Sequence, residues 1–269
     1  MNYLSVENIS KSYGERILFK DVSFGINKDQ KIAFIAKNGS GKTTIIEKMK
    51  ENFNSDNFVF VKEPVDQWEQ IRDSSDGDSI LKKFYADQKK HAFSFQVLAY
   101  STRLALLRKT IRENPTAKVI ICERSLDADR NIFAKMLRDS GLMSDIEFQI
   151  YDHLFSEYSE GGESSTTSLL ENNKHNLDGV IYIDASPDIC SGRIKKRSRD
   201  GESKIPVEYL KNCREYHENW LLNGNDLRDC KVLHIVTDED ATYDMLNEDD
   251  CGNRWIRQIY GFIDKLKTY

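Results

Sequence analysis

The run Ala36 to Thr43, AKNGSGKT, lies between an apolar strand-like segment, KIAFIA (Lys31 to Ala36), and a helical segment that begins near Lys42. It fits the pattern A/G-x4-G-K-[S/T], which demands a strand, a glycine-bearing loop and a helix in that order. Backbone N–H groups of Gly39 to Thr43 would converge on a phosphate at the positive end of that helix. In this geometry Lys42 reaches the β- and γ-phosphates of a nucleotide and Thr43 offers its hydroxyl to Mg²⁺. Asn38, Gly39, Ser40, Gly41 and Thr44 complete the expected ATP-binding loop. Ala36 stands where the first glycine is usual, which crowds the turn without forbidding it.

Beyond the loop, short β-rich runs alternate with long amphipathic stretches: FVFV (Phe58 to Val61), KVIIC (Lys118 to Cys122), GVIYID (Gly179 to Asp184) and KVLHIV (Lys231 to Val236). That order predicts an α/β chain with a five-stranded parallel sheet covered by helices. Helical spacing of apolar residues predicts a helix from Ala92 to Glu113 and a terminal one around Trp255, Ile256, Ile259, Phe262, Ile263 and Leu266. With 269 residues and 39% hydrophobic content, one sizeable core and a small appendage are expected. The formal charge of −5 gives no whole-chain attraction to nucleic acid or an anionic membrane, so phosphate affinity must be local. Five cysteines without a C-x-x-C pair suit a reducing compartment and indicate no zinc site. Without a hydrophobic signal core or a run long enough to span a membrane, a cytoplasmic protein is expected. The polar, Ser- and Gly-rich stretch Glu157 to Asn176 reads as a flexible surface insertion.

Residues 1 to 30 alternate like two strands around a turn at Gly14. Through Thr44 this stretch resembles the start of an ABC-type ATPase domain, in which the aromatic matching Tyr13 stacks on adenine. Tyr13 is read either as that contact or as an ordinary hairpin tyrosine. The resemblance ends after the loop: no LSGGQ-like signature, no apolar strand ending in Asp-Glu and no switch histidine follow. The expected organisation is an ABC-like hairpin extension over 1–30, packed on the sheet edge near the strand Lys31 to Ala36, and a main domain over 31–269.

In an open parallel sheet, ligands gather beyond the carboxyl ends of the strands. Lys62-Glu63-Pro64 follows FVFV, and Glu123-Arg124-Ser125 follows KVIIC. A helix bearing Arg193 and Arg197 follows GVIYID, with Arg199 just beyond. Arginines four apart share a helix face and can clamp a transferring phosphoryl group.

Taken in order, the phosphate loop, VKEPVDQW (Val61 to Trp68), KKFYADQKKHAFSFQ (Lys82 to Gln96), Ser101 to Arg103, ERSLDADRNIF (Glu123 to Phe133) and RIKKRSRDGESKIPVEYL (Arg193 to Leu210) resemble the deoxyribonucleoside kinases, specifically the deoxycytidine, deoxyguanosine and deoxyadenosine branch. This resemblance covers about residues 31–241. It implies a P-loop kinase fold and transfer of a phosphoryl group from ATP to a nucleoside 5′-hydroxyl in nucleotide salvage. It implies that Glu63 accepts the hydroxyl proton, that Arg124 orients Glu63 and that Glu123 holds Mg²⁺ with Thr43. Arg193, Arg197 and Arg199 would form a lid over the phosphates, and Asp240 would belong to a loop at the adenine edge. Tyr85 and Glu202 match residues that bond the 3′-hydroxyl; Gln96, Arg103 and Asp129 match those facing the base edge; Trp68, Phe95 and Phe133 match aromatic walls. The charged pair Arg103 and Asp129 implies deoxycytidine or a purine deoxynucleoside ahead of thymidine. A homodimer packed through long helices is also implied. The alternative kept open is an ABC-F-type ATPase or binding module without a small-molecule acceptor, carried by residues 1–44 alone.

Overall fold

The computed structural model describes residues 2–13, 16–27, 30–52, 57–159, 177–197, 202, 205–224, 227, 230–244, 247 and 249–266, with backbone alone for 2–13, 16–27, 30 and 52. Seven strands are described: β1 (Asn2–Tyr13), β2 (Arg16–Asn27), β3 (Gln30–Ile35), β4 (Phe58–Val61), β5 (Val119–Glu123), β6 (Gly179–Asp184) and β7 (Lys231–Val236). The helices are α1 (Lys42–Asn52), α2 (Val65–Gln70), α3 (Ile80–Ala86), α4 (Gln88–Glu113), α5 (Leu126–Ala128), a π-helical turn (Asp129–Ala134), α6 (Lys135–Asp139), α7 (Asp145–Ser159), α8 (Pro187–Arg197), α9 (Val207–Leu221) and α10 (Cys251–Leu266).

Strands β3 to β7 form one all-parallel sheet in the order β4-β5-β3-β6-β7. The expected five-stranded parallel sheet is therefore the observed one. β3 lies at its centre, where the strand order reverses, so the loop after it opens into the crevice such folds use for ligands. Side chains alternate along β3 between two buried layers. Ile32 and Phe34 pack with Ile45 and Met49 of α1 and Trp255, Ile259 and Ile263 of α10. Ala33 and Ile35 pack on the opposite face with Ile132, Met136, and Trp220 of α9. A third cluster joins Trp68, Leu81, Phe84 and Phe95 from α2, α3 and α4 above the strand ends and walls the acceptor side of the crevice.

The central position of β3 corrects the expectation for the N-terminal hairpin. β3 pairs with β5 on one side and β6 on the other, so it offers no sheet edge to the hairpin. β1 and β2 instead pair antiparallel in a two-stranded sheet of their own, with Tyr13 opposite Arg16; Gly14 and the side chain of Tyr13 lie outside the described residues. Helix α4 begins at Gln88, one turn before the apolar periodicity, because the Asp87 side chain caps it by accepting from the Lys90 amide at 3.2 Å. That first turn is polar and carries no periodic signal. The expected insertion begins inside α7, which runs to Ser159, and its remainder, 160–176, lies outside the described residues.

Candidate active site

The phosphate loop takes its shape from two glycines in the left-handed region, Gly39 at φ 85° and Gly41 at φ 90°. Gly39 is required on a second ground: a Cβ there would sit 2.5 Å from the Cys190 carbonyl oxygen at the start of α8. From below, the loop is tied to the ends of β6 and β7. Lys37, 1% exposed, bonds Asp184 at 3.0 Å, and Asp184 also accepts from Arg214 at 2.9 Å. The Thr237 hydroxyl donates to the Ser40 carbonyl at 2.8 Å, and the Ser40 hydroxyl donates to the Lys37 carbonyl at 3.0 Å. Thr44 is exposed in the first turn of α1. The loop therefore sits on a fixed base at the amino end of an 11-residue helix, where free backbone N–H groups favour an anion.

Across from the loop, Glu123 closes β5. One of its carboxylate oxygens meets Lys42 Nζ at 2.6 Å and Thr43 Oγ1 at 2.5 Å. Burial would raise this carboxyl, but Lys42 beside it holds it below the usual range. A hydroxyl and an ionised carboxylate at the phosphate end are hard oxygen donors of the kind a phosphate-bound divalent cation uses.

The next residue, Arg124, is one of two non-glycine residues with positive φ among those described, at 73°. Its amide still donates to the Phe34 carbonyl at 2.7 Å, as the last rung of the β3–β5 ladder, and the positive φ then turns the chain off the strand with the guanidinium lining the crevice. A non-glycine residue held in this region costs about 1–3 kcal/mol, strain that the surrounding packing must offset. Arg124 then lies 4.1 Å above the Phe133 ring and 3.2 Å from the Glu63 carboxylate. Glu63 also accepts from Arg103, whose other Nη donates to both oxygens of Asp129 at 2.5 Å. Burial alone would raise the Glu63 carboxyl; Arg124, then Arg103 and Lys42, outweigh it and hold Glu63 well below the carboxylate range. At Asp129 burial is the larger effect and pushes the carboxyl up, against Arg103 and Arg124. Asp129 and Phe133 lie four apart on the π-helical turn and so reach one cleft from the same side.

That cleft, about 580 Å³ including its open mouth, is lined by all nine expected acceptor residues: Glu63, Trp68, Tyr85, Phe95, Gln96, Arg103, Asp129, Phe133 and Glu202. Its aromatic wall is packed edge to face between Trp68 and Phe95 at 5.3 Å, and Phe95 stacks on Phe84 at 4.5 Å. Trp68 is fixed by donation to Thr102 at 3.0 Å. Gln96 is 3% exposed, and its amide oxygen has no protein partner. A buried acceptor left open inside a cleft marks where a ligand donor belongs. Sequence reasoning missed Phe84, Tyr209 and Cys213 in this wall, which carry only ordinary apolar spacing. It also placed Asn38 on the ATP side, whereas the Asn38 side chain lines the acceptor cleft and donates to the Tyr85 hydroxyl at 2.9 Å. The Lys37 and Asp184 pair had one available signal, an acid ending the otherwise apolar run GVIYI.

A family description, deoxynucleoside kinase, matches residues 37–264 of this chain. The chain belongs to the deoxynucleoside kinase family. It is 31% identical over 237 residues to a probable deoxycytidine kinase of fowlpox virus (strain NVSL), covering 88% of this chain and 89% of the relative. To human deoxycytidine kinase it is 29% identical over 232 residues, 78% of this chain and 85% of the relative. To the mitochondrial deoxyguanosine kinase of Xenopus laevis it is 26% identical over 254 residues, 85% and 90%. The ABC-type reading rests on residues 1–44 and supplies no acceptor cleft.

In this deoxynucleoside kinase the expected arginine lid is divided. Arg193 donates to the carbonyls of Thr237 at 2.8 Å and Glu239 at 2.9 Å and lies 3.7 Å from Asp240, so it joins α8 to the loop after β7. Arg197 bonds Glu202, which is 3% exposed, and thereby links the same helix to the acceptor cleft. Arg199 lies outside the described residues. Although they share one helix face, Arg193 and Arg197 have no common partner among the described residues: the first bonds the loop after β7 and the second Glu202.

Proposed function

We propose that this kinase transfers the γ-phosphoryl group of ATP to the 5′-hydroxyl of a deoxyribonucleoside, with deoxycytidine or a purine deoxynucleoside preferred to thymidine. The observation that carries the reading is Glu63, an ionised carboxylate between Arg103 and Arg124, at the junction of the phosphate loop and the cleft. Glu63 orients the 5′-hydroxyl and accepts its proton late in transfer, when bond formation has acidified it, so a weakly basic carboxylate suffices. Arg124 holds Glu63 and the attacking oxygen, and Lys42 offsets charge on the β- and γ-phosphates. Thr43 and Glu123 would hold Mg²⁺, which neutralises phosphate charge when bound. Arg193, Arg197 and Arg199 close over the donor with Asp240 at the adenine edge, and exclude water.

For the acceptor, Trp68, Phe95 and Phe133 sandwich the base, and Gln96 with the Arg103 and Asp129 pair reads its edge by paired donors and acceptors. Tyr85 and Glu202 bond the 3′-hydroxyl. Residues 1–30 form an appendage to a kinase domain of 31–269. The protein acts in nucleotide salvage in the cytoplasm, as a homodimer. The exposed Ile146 and Ile150 on α7, which packs beside α4, support that assembly. Among the described residues no helix is long and apolar enough to cross a membrane. The test is ADP formation with Mg²⁺-ATP and each of deoxycytidine, deoxyadenosine, deoxyguanosine and thymidine, with the product identified by mass. A 5′-monophosphate from at least one of the first three, formed faster than from thymidine, supports the reading. Turnover indifferent to acceptor, or fastest with thymidine, refutes it.

A further inference from the structure

Asn38 belongs to the phosphate loop by sequence, yet its side chain faces the nucleoside. It is half-buried, lines the acceptor cleft, and touches Arg124 and Tyr85. The chemistry of these partners fixes its orientation. A guanidinium has donors only, so the Asn38 atom 3.3 Å from Arg124 Nη2 must be the amide oxygen. The amide nitrogen then faces Tyr85 and can only donate, which makes the Tyr85 hydroxyl an acceptor at 2.9 Å. The single proton of that hydroxyl is thereby directed away from Asn38. Burial, with Glu202 next, pushes the Tyr85 phenol up, so it stays protonated at working pH. Tyr85 and Glu202 line the same cleft, one carrying a directed donor and the other a carboxylate acceptor. A ligand hydroxyl between them would accept from the first and donate to the second.

We infer that Asn38 is a positioning residue of the acceptor subsite: it sets the direction of the hydrogen bond that Tyr85 gives to the substrate's 3′-hydroxyl and joins that contact to Arg124. The inference rests on the proposed reading of Tyr85 and Glu202. Arg124 in turn lies 3.2 Å from Glu63, which Arg103 also holds, so the aim of Glu63 does not hang on Asn38 alone. A nucleoside without a 3′-hydroxyl would leave the Tyr85 donor unpaired and bypass the device.

The test compares wild type, Asn38→Leu, Asn38→Asp and Tyr85→Phe on a deoxynucleoside and its 2′,3′-dideoxy counterpart. Asn38→Leu removes both polar contacts at similar volume. Asn38→Asp keeps the shape but presents an acceptor to Tyr85, which draws the phenol proton toward position 38 and away from the substrate. Each Asn38 variant is expected to lose about tenfold in kcat/KM with the deoxynucleoside, the worth of one well-placed hydrogen bond, and under about threefold with the dideoxynucleoside. Tyr85→Phe combined with Asn38→Leu is expected to lose no more than either alone, because residues acting through one contact are not additive. Calorimetric Kd values for the two nucleosides without ATP should show the same ratio. Equal losses on both acceptors, or additive losses, overturn the inference. So does a raised KM for ATP with the acceptor ratio unchanged, which would return Asn38 to the donor side. If Asn38→Leu fails to fold, the near-isosteric Asn38→Asp decides by the same ratio. Wild type that makes no monophosphate from any acceptor refutes the functional reading and the inference with it; an active wild type with an unmoved ratio refutes the inference alone.

Discussion

Alanine at Gly39 and at Gly41 separates two physical requirements that the phosphate-loop sequence merges. Both glycines have positive φ, 85° and 90°, and an L-residue in that region costs about 1–2 kcal/mol. At Gly41 nothing lies within 4 Å of an added Cβ, so strain is the whole penalty. At Gly39 the Cβ would meet the Cys190 carbonyl oxygen at 2.5 Å and its Cα at 2.9 Å. These are backbone atoms at the start of α8, which cannot rotate away as a side chain tip would. Forcing such a contact adds about 1–3 kcal/mol of overpacking, so Gly39→Ala should destabilise by ~2–5 kcal/mol and Gly41→Ala by ~1–2 kcal/mol. Urea unfolding followed by fluorescence of the three tryptophans measures both. Because the shift would move the loop against α8, Gly39→Ala should also weaken ATP binding beyond what its stability loss explains. Equal destabilisation of the two variants, within ~0.5 kcal/mol, would refute the close-approach argument.

Arg103→Ala would leave Glu63 and Asp129 buried without their shared cation and should cost about 3–5 kcal/mol in urea unfolding; a loss under ~1 kcal/mol would show that Arg124 alone neutralises them. His217, fully buried, has its imidazole lowered to about 3 chiefly by burial. The unfolded chain then binds a proton that the folded one refuses, so stability should fall as pH drops from ~6.5, by at most ~1.4 kcal/mol per unit. In His217→Gln the slope of unfolding free energy between pH 7 and 5 should shrink by about one proton, and an unchanged slope would contradict the assignment. Glu63 and Glu123, both lowered, contribute stability that is present above ~4.4 and lost only as pH falls further. Acid inactivation between pH 6 and 5 should therefore not arise from them, which Glu63→Gln unfolding across that range checks. Thr43→Val should raise the Mg²⁺ concentration needed for tight ATP binding by about tenfold in calorimetry while nucleoside Kd holds; no change would remove Thr43 from the metal site.

Local pattern made the sheet readable because each strand is a short apolar run and the loop motif names its own strand and helix. β4, β6 and β7 match their sequence runs residue for residue, while β5 is shifted by one residue, losing Lys118 and taking in Glu123, and β3 by one the other way, from Gln30 to Ile35. The acceptor cleft was readable through resemblance, since nine residues drawn from spaced motifs line the one cleft. Contacts set by the crossing of distant segments were not readable. Lys37 in a glycine loop looks like a solvated cation until β6 places Asp184 beneath it. The positive φ of Arg124, just past the end of β5, is set by how the chain leaves the sheet, and no residue type announces it. Arg193 and Arg197 share a face by spacing, but the loop after β7 and Glu202 decide what each one bonds. Asn38 was assigned by its place in a motif, and only the tertiary fold turns its side chain toward Tyr85.

The central claim, that Glu63 performs transfer in a cleft that binds the nucleoside independently, is tested most directly by Glu63→Gln in single-turnover transfer beside calorimetric nucleoside binding. The amide keeps the size and one acceptor atom while losing the charge that Arg103 and Arg124 hold in place. Transfer is expected to fall about 100-fold or more, with nucleoside Kd within about threefold of wild type. Transfer at the wild-type rate, or a loss confined to nucleoside affinity, would contradict the claim.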